Sequence, residues 1–107
     1  MGLFGFGKKK EQEDWKFPVP PNTAVFTTSF VLEGKPVTYV SHDEEGDWQF
    51  FSDDKPADME ASARVVSLQQ MLQLDPSLTG LFGMPKGVAV TRSRVGEQWK
   101  AHRLAAE

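Results

Sequence analysis

The segment Val40-Ser41-His42-Asp43-Glu44-Glu45-Gly46-Asp47-Trp48-Gln49-Phe50-Phe51 constrains the fold more than any other part of the chain, because it joins two apolar runs through a short acidic loop ending in glycine. Asp43, Glu44 and Glu45 suit a type I turn, and Gly46 supplies the positive φ of the bulge that follows. Trp48 and Phe50 then resume an alternation of period two. The segment is therefore a β-hairpin with a charged tip.

Strand signals flank this hairpin on both sides. The run Thr23 to Leu32 is rich in Val, Phe and Thr, and Glu33-Gly34-Lys35 marks a turn before Pro36. Val37 to His42 forms the second strand and Asp47 to Ser52 the third, and short turns between consecutive strands predict an antiparallel meander. Residues 53–64 make a polar connection. Ser67 is then a helix N-cap, with Gln70 three residues on and Val66 placed to staple onto Met71. Leu68, Met71 and Leu72 share one face of that helix, which Pro76 stops near Asp75. Asp75 can cap a second helical turn with Pro76 at its first position and Leu78, Leu81 and Phe82 pointing inward. Gly87 to Arg94 alternates again, and Val95-Gly96-Glu97 turns the chain into a last strand through Trp99. These signals predict an α+β domain over residues 22–104. Its expected architecture is an antiparallel sheet of four or five strands with one amphipathic helix packed on one face.

Composition sets the bounds on this reading. At 107 residues, 39% hydrophobic and 11% aromatic, the chain can bury one core and is too short for two. The absence of cysteine removes disulfides, zinc-thiolate sites and thiol catalysis together, and it fits a cytoplasmic protein. The net charge of −3 is unevenly spread. Residues 42–60 carry Asp43, Glu44, Glu45, Asp47, Asp53, Asp54, Asp58 and Glu60 against Lys55 alone, whereas Arg64, Lys86, Arg92, Arg94, Lys100 and Arg103 make the last part mildly basic. A nucleic-acid-binding domain needs a clustered basic face and an alkaline balance, and this chain lacks that balance.

The first 21 residues read as a tail and lead-in. Met1 to Gly7 precedes Lys8-Lys9-Lys10, the wrong order for a signal peptide, and Phe6 stands where a myristoylation pattern needs Ser or Thr. Leu3, Phe4 and Phe6 beside three lysines would give only weak anchoring at a membrane surface. Pro18, Pro20 and Pro21 hold the approach to the domain extended.

No catalytic constellation survives inspection. Ser41-His42-Asp43 contains the residue types of a hydrolase triad, but neighbours in a strand point to opposite faces. His42, Asp43, Glu45 and Asp47 gather an imidazole and hard oxygens in one hairpin, yet the spacing matches no calcium loop, and a solvated turn explains the acids. Gly80, Gly83 and Gly87 fit neither a phosphate loop nor a dinucleotide fingerprint. No metal and no cofactor are expected.

The hairpin pattern, together with Ser67-Leu68, Leu74-Asp75-Pro76-Ser77-Leu78 and Met84-Pro85-Lys86-Gly87-Val88-Ala89-Val90-Thr91-Arg92, resembles a family of small bacterial proteins of undetermined molecular function. More distantly, a Trp-x-Phe strand, an Asp-Pro turn, a Pro-x-Gly and a following strand with Arg are similar to domains assigned as immunity partners of bacterial toxins. The resemblance spans residues 25–99 and implies a non-enzymatic protein-interaction module, in one form an immunity-type inhibitor. Under that implication the acid-rich hairpin and the 53–60 connection form the natural face for a basic protein partner, with Asp43, Glu44, Glu45 and Asp47 as electrostatic contacts and Phe51 as an exposed anchor on the face opposite Trp48 and Phe50. Two alternatives come from other classes: a small-molecule or enzymatic site centred on His42, with His102, Arg92 and Arg94 as further candidates, and a membrane-peripheral protein attached through its tail. The expected state is a monomer or weak homodimer, since a free strand edge can pair two copies.

Overall fold

The computed structural model describes residues 15–104, so the tail positions singled out above, Leu3, Phe4, Phe6 and Lys8 to Lys10, lie outside the described residues. Within them the hairpin forms as its sequence requires. Strands β2 (Tyr39–His42) and β3 (Trp48–Phe51) are antiparallel, with Tyr39 opposite Phe51 and His42 opposite Trp48. At the tip the Gly46 amide donates to the Asp43 carbonyl at 3.0 Å, and Gly46 has φ 94°. The Asp43 side chain fastens the turn from within: its Oδ1 accepts from the amides of Glu45 at 3.0 Å and Asp47 at 2.9 Å.

The hairpin lies inside a larger sheet than expected. In chain order the elements are β1 (Ala24–Thr28), α1 (Ser29–Leu32), β2, β3, α2 (Met59–Ser62), β4 (Ala63–Ser67), α3 (Leu68–Leu74), a 3-10 helix (Pro76–Leu81), β5 (Val88–Thr91) and β6 (Lys100–Arg103). They build one six-stranded sheet in the order β4-β1-β3-β2-β5-β6. It is mixed rather than purely antiparallel, because β1 runs parallel to β3.

Two local events produce that difference from the predicted meander of four or five strands. Thr28 ends β1 and places its Oγ1 3.4 Å from the Val31 amide, so Ser29–Leu32 winds into a helical turn instead of extending the strand. The turn and the Gly34 that follows (φ 118°) carry the chain away from β1, and β2 enters on the far side of β3. The second event is β4. Part of the polar connection read at 53–64 is the short helix α2, capped by Asp58, whose carboxylate accepts from the Ala61 amide at 3.2 Å. Ala63–Ser67 then adds antiparallel to β1 as an edge strand.

The helical expectations are met more closely. Ser67 caps α3, its Oγ accepting from the Gln70 amide at 3.0 Å, and Leu68, Met71 and Leu72 are buried. Asp75 caps the 3-10 helix that begins at Pro76. Phe82 is a correction: Leu78 and Leu81 are buried but Phe82 is exposed. Three residues per turn put Leu78 and Leu81 on one line, and that line leaves Phe82 off the core face. The last strand also differs. Gly96 forms the expected turn (φ 94°), but β6 starts only at Lys100, because the Trp99 ring is held over the Arg92 guanidinium at 4.1 Å.

The core occupies one face of the sheet. Val25, Val40, Trp48, Phe50 and Val90 meet Leu68, Met71 and Leu72 of α3 and Leu78 and Leu81 of the 3-10 helix. Phe17 joins this cluster and meets Trp48 edge-on at 5.3 Å between ring centroids, so the lead-in read as part of a flexible segment contributes a core side chain. One bolt ties the helical layer to the sheet. The buried Arg92 donates from Nε to the Val37 carbonyl, from Nη1 to Ser77 Oγ and from Nη2 to Asp75 Oδ2, each at 3.0 Å.

Candidate functional site

The opposite face of the sheet contributes nothing to the core cluster. The strand registers order it into two rows. Ala63, Thr28, Phe51, Tyr39, Thr91 and Lys100 form one, and Val65, Phe26, Gln49, Ser41, Ala89 and His102 form the next. Ser41 and Ala89 are small and sheltered, and the Ser41 hydroxyl donates to Gln49 Oε1 at 2.9 Å. Phe26 and Val65 stand exposed.

Over the first row the connection after β3 rises to form a cleft of about 680 Å³, lined among others by Tyr39, Gln49, Phe51, Asp53, Asp54 and Met59. The Tyr39 and Phe51 rings lie nearly parallel, 12° apart with centroids at 6.1 Å, and make an aromatic floor. Ser52 and Asp54 brace the rim: the Ser52 hydroxyl donates to Asp54 Oδ2 at 2.7 Å. Lys35 approaches the other oxygen of Asp54 at 3.7 Å, a largely exposed pair that adds little stability. Asp53 is exposed and is not among the side chains hydrogen-bonded here.

The residues singled out in the sequence fall at two ends of this face. Phe51 is partly buried on the side away from Trp48 and Phe50 and belongs to the cleft floor. Asp43, Glu44, Glu45 and Asp47 sit at the hairpin tip, about 13 Å along β3 from Phe51 at the usual strand rise. The tip is not uniform. Asp43 is committed to its turn, and the Glu44 carboxylate lies against the space where a side chain on Gly87 would stand. Asp43, Glu45 and Asp47 each bring a carboxylate oxygen within 4.8 Å of the others, which concentrates negative charge at the tip.

His42 is placed for packing. Its ring stacks on Trp48 at 4.1 Å between centroids, and Nδ1 lies 2.9 Å from the Met84 carbonyl, which requires the proton on Nδ1 because a carbonyl can only accept. His42 is not among the residues that line the cleft over Tyr39 and Phe51. Arg92 reaches the cleft wall, but each nitrogen of its guanidinium is already bonded, to Val37, Ser77 and Asp75, and its plane lies against Trp99. His102 lies in β6 on the second row, and Arg94 pairs with Glu97 at 3.0 Å on the surface. These four cationic or imidazole groups do not converge. Ser41, His42 and Asp43 likewise form no relay, since Ser41 turns to Gln49 and His42 to Met84.

Tyr39, Gln49 and Met59 were not singled out as site residues in the sequence, whereas Asp53 and Asp54 belong to the 53–60 connection that it set on the face toward a basic partner. Tyr39 was within reach of sequence reasoning: a turn with Asp43 and Gly46 at its corners fixes the register that sets Tyr39 against Phe51. Met59 was not, because its position depends on how the 52–58 connection folds back over the sheet. No family model, curated protein or solved structure matches this chain. Among the described residues, no helix is long and apolar enough to cross a membrane.

Proposed function

We propose that this chain is a non-enzymatic protein-interaction module that receives a basic partner on the open face of its sheet. The observation that carries this reading is the cleft in which the aromatic floor of Tyr39 and Phe51 lies beside the Asp53 and Asp54 carboxylates. Interfaces draw most of their affinity from a few aromatic anchors, while charge around them sets orientation and encounter rate. Alternation along β2 and β3 carries Asp43 and Asp47 to the same face as Tyr39 and Phe51. A partner covering about 800 Å² would contact both the cleft and the tip. Neutralisation of a basic toxin, as an immunity-type protein does, is the specific form of this role that the sequence motifs suggest.

A reaction site is less well supported, because the side chains lining the cleft include no imidazole beside a nucleophile. The reading is tested by capture from native lysate at low and high salt with three proteins. These are the wild type, a tip variant with Asp43 and Asp47 changed to Asn and Glu44 and Glu45 to Gln, and a cleft variant carrying Tyr39→Ala and Phe51→Ala. One protein retained by the wild type, weakened by salt and by the tip variant and lost from the cleft variant, is the expected result. Equal capture by all three would reject the open face as the docking surface.

A further inference from the structure

We propose that β4 is the pairing edge of a symmetric dimer, in which two copies of this chain join their sheets antiparallel about Val65. The inference rests on which backbone groups of the edge strand are free. The Leu68 amide donates to the Thr23 carbonyl at 2.8 Å, which marks these two as a hydrogen-bonded antiparallel pair. The β1–β4 register extends from it, with Val66 opposite Val25 and Arg64 opposite Thr27. Hydrogen-bonded and non-bonded pairs alternate along such a ladder, so Leu68, Val66 and Arg64 turn their amides and carbonyls toward β1. Ala63, Val65 and Ser67 turn theirs outward. Ala63 is already served: its amide donates to the Met59 carbonyl, and its carbonyl accepts from Arg64 Nη1 at 2.8 Å. Among the described residues, both backbone groups of Val65 and the amide of Ser67 remain as the open edge, the Ser67 carbonyl being taken by the first turn of α3.

A two-fold axis at Val65 uses these groups. Each Val65 exchanges both of its hydrogen bonds with Val65 of the other copy, and each Ser67 amide meets the second lone pair of the opposite Ala63 carbonyl. The side chains agree with that register. Val65 is 60% exposed, with Phe26 beside it at 37%, so the axis extends an apolar stripe from Phe26 through both valines to the second Phe26. Arg64 falls opposite Val66, so no two like charges stand directly across from each other.

The other edge of the sheet is built differently. In β6, Lys100, His102 and Arg103 occupy a strand of four residues that is exposed throughout, the kind of charged edge that resists pairing. A head-to-tail join of β4 to β6 would set Arg64 among these cations and would leave an open-ended filament, whereas pairing of β4 with itself closes. A ladder of five residues with one apolar stripe falls below the roughly 1,200 Å² that stable interfaces bury, so the dimer is half-dissociated on the order of 100 µM.

Sedimentation equilibrium over about 10 µM to 1 mM brackets a pair of that strength. The full chain should rise from the monomer mass toward twice that mass, with the Val65 and Ser67 amides gaining protection from hydrogen exchange as concentration rises. Val65→Lys sets two ammonium groups face to face on the axis, and Val65→Pro deletes the outward amide without touching the bonds to β1; both should stay monomeric with unchanged circular dichroism. Ala101→Lys on β6 should dimerise like the wild type. A wild type that is monomeric throughout, a Val65→Lys protein that still dimerises, or loss of the dimer in Ala101→Lys would each overturn the proposal.

Discussion

Replacing Arg92 by methionine should destabilise the domain by about 3–5 kcal/mol, the range for breaking a buried ion pair from one side. The Arg92 side chain is 2% exposed, and that of Asp75 is 15% exposed. Methionine fills most of the volume and none of the donor positions. The Val37 carbonyl, on a residue 1% exposed, loses the Arg92 Nε bond, at about 1–3 kcal/mol for a stranded buried acceptor. Asp75 loses its cation but keeps the Ser77 amide and hydroxyl, and water can reach it, so its share lies at the low end. Trp99 loses the guanidinium under its ring, worth about 0.5–2 kcal/mol. These contributions overlap and do not add. A loss of 3–5 kcal/mol corresponds to a fall in Tm of roughly 12–40 °C for a domain of this size, readable by calorimetry or urea titration. Asp75→Asn alone should cost less, because its remaining oxygen can still cap the 3-10 helix. A double-mutant cycle over Arg92→Met and Asp75→Asn should then return a coupling above about 1 kcal/mol. If Arg92→Met lies within 1 kcal/mol of the wild type, the idea that this arginine bolts the helical layer to the sheet is wrong.

Three smaller predictions follow from the same geometry. Gly87 has φ 83° and an added methyl would meet the Glu44 carboxylate, so Gly87→Ala should cost about 1–3 kcal/mol by chemical denaturation, and adding Glu44→Ala should recover only the part due to contact. Ser67→Ala removes the cap of α3 and should cost about 1 kcal/mol in the same assay, with Ser67→Asp largely retaining it. Millimolar calcium or magnesium should leave the Tm almost unchanged despite the clustered oxygens of Asp43, Glu45 and Asp47, because one Asp43 oxygen already serves two amides; a rise of several degrees would mark the tip as a cation site.

The sequence alone determined the parts of this protein governed by neighbours in the chain. The hairpin turn at Asp43 to Gly46, the cap at Ser67 and the Asp75-Pro76 start of the 3-10 helix each depend on side chains bonding to backbone a few residues away, and each formed where its residues stand. The placement of Phe51 away from the core was legible for the same reason, since strand alternation is local. The tertiary structure decided what depends on distant partners. Whether Ser29–Leu32 continues β1 or coils, and whether Ala63–Ser67 is loop or edge strand, turned on what β1 could pair with, and its two neighbours lie more than twenty and nearly forty residues further on. The cleft above Tyr39 and Phe51 and the free edge at Val65 are products of that pairing. A β-strand has no internal hydrogen bonds, so its sequence records which face is apolar but not which strand will lie beside it.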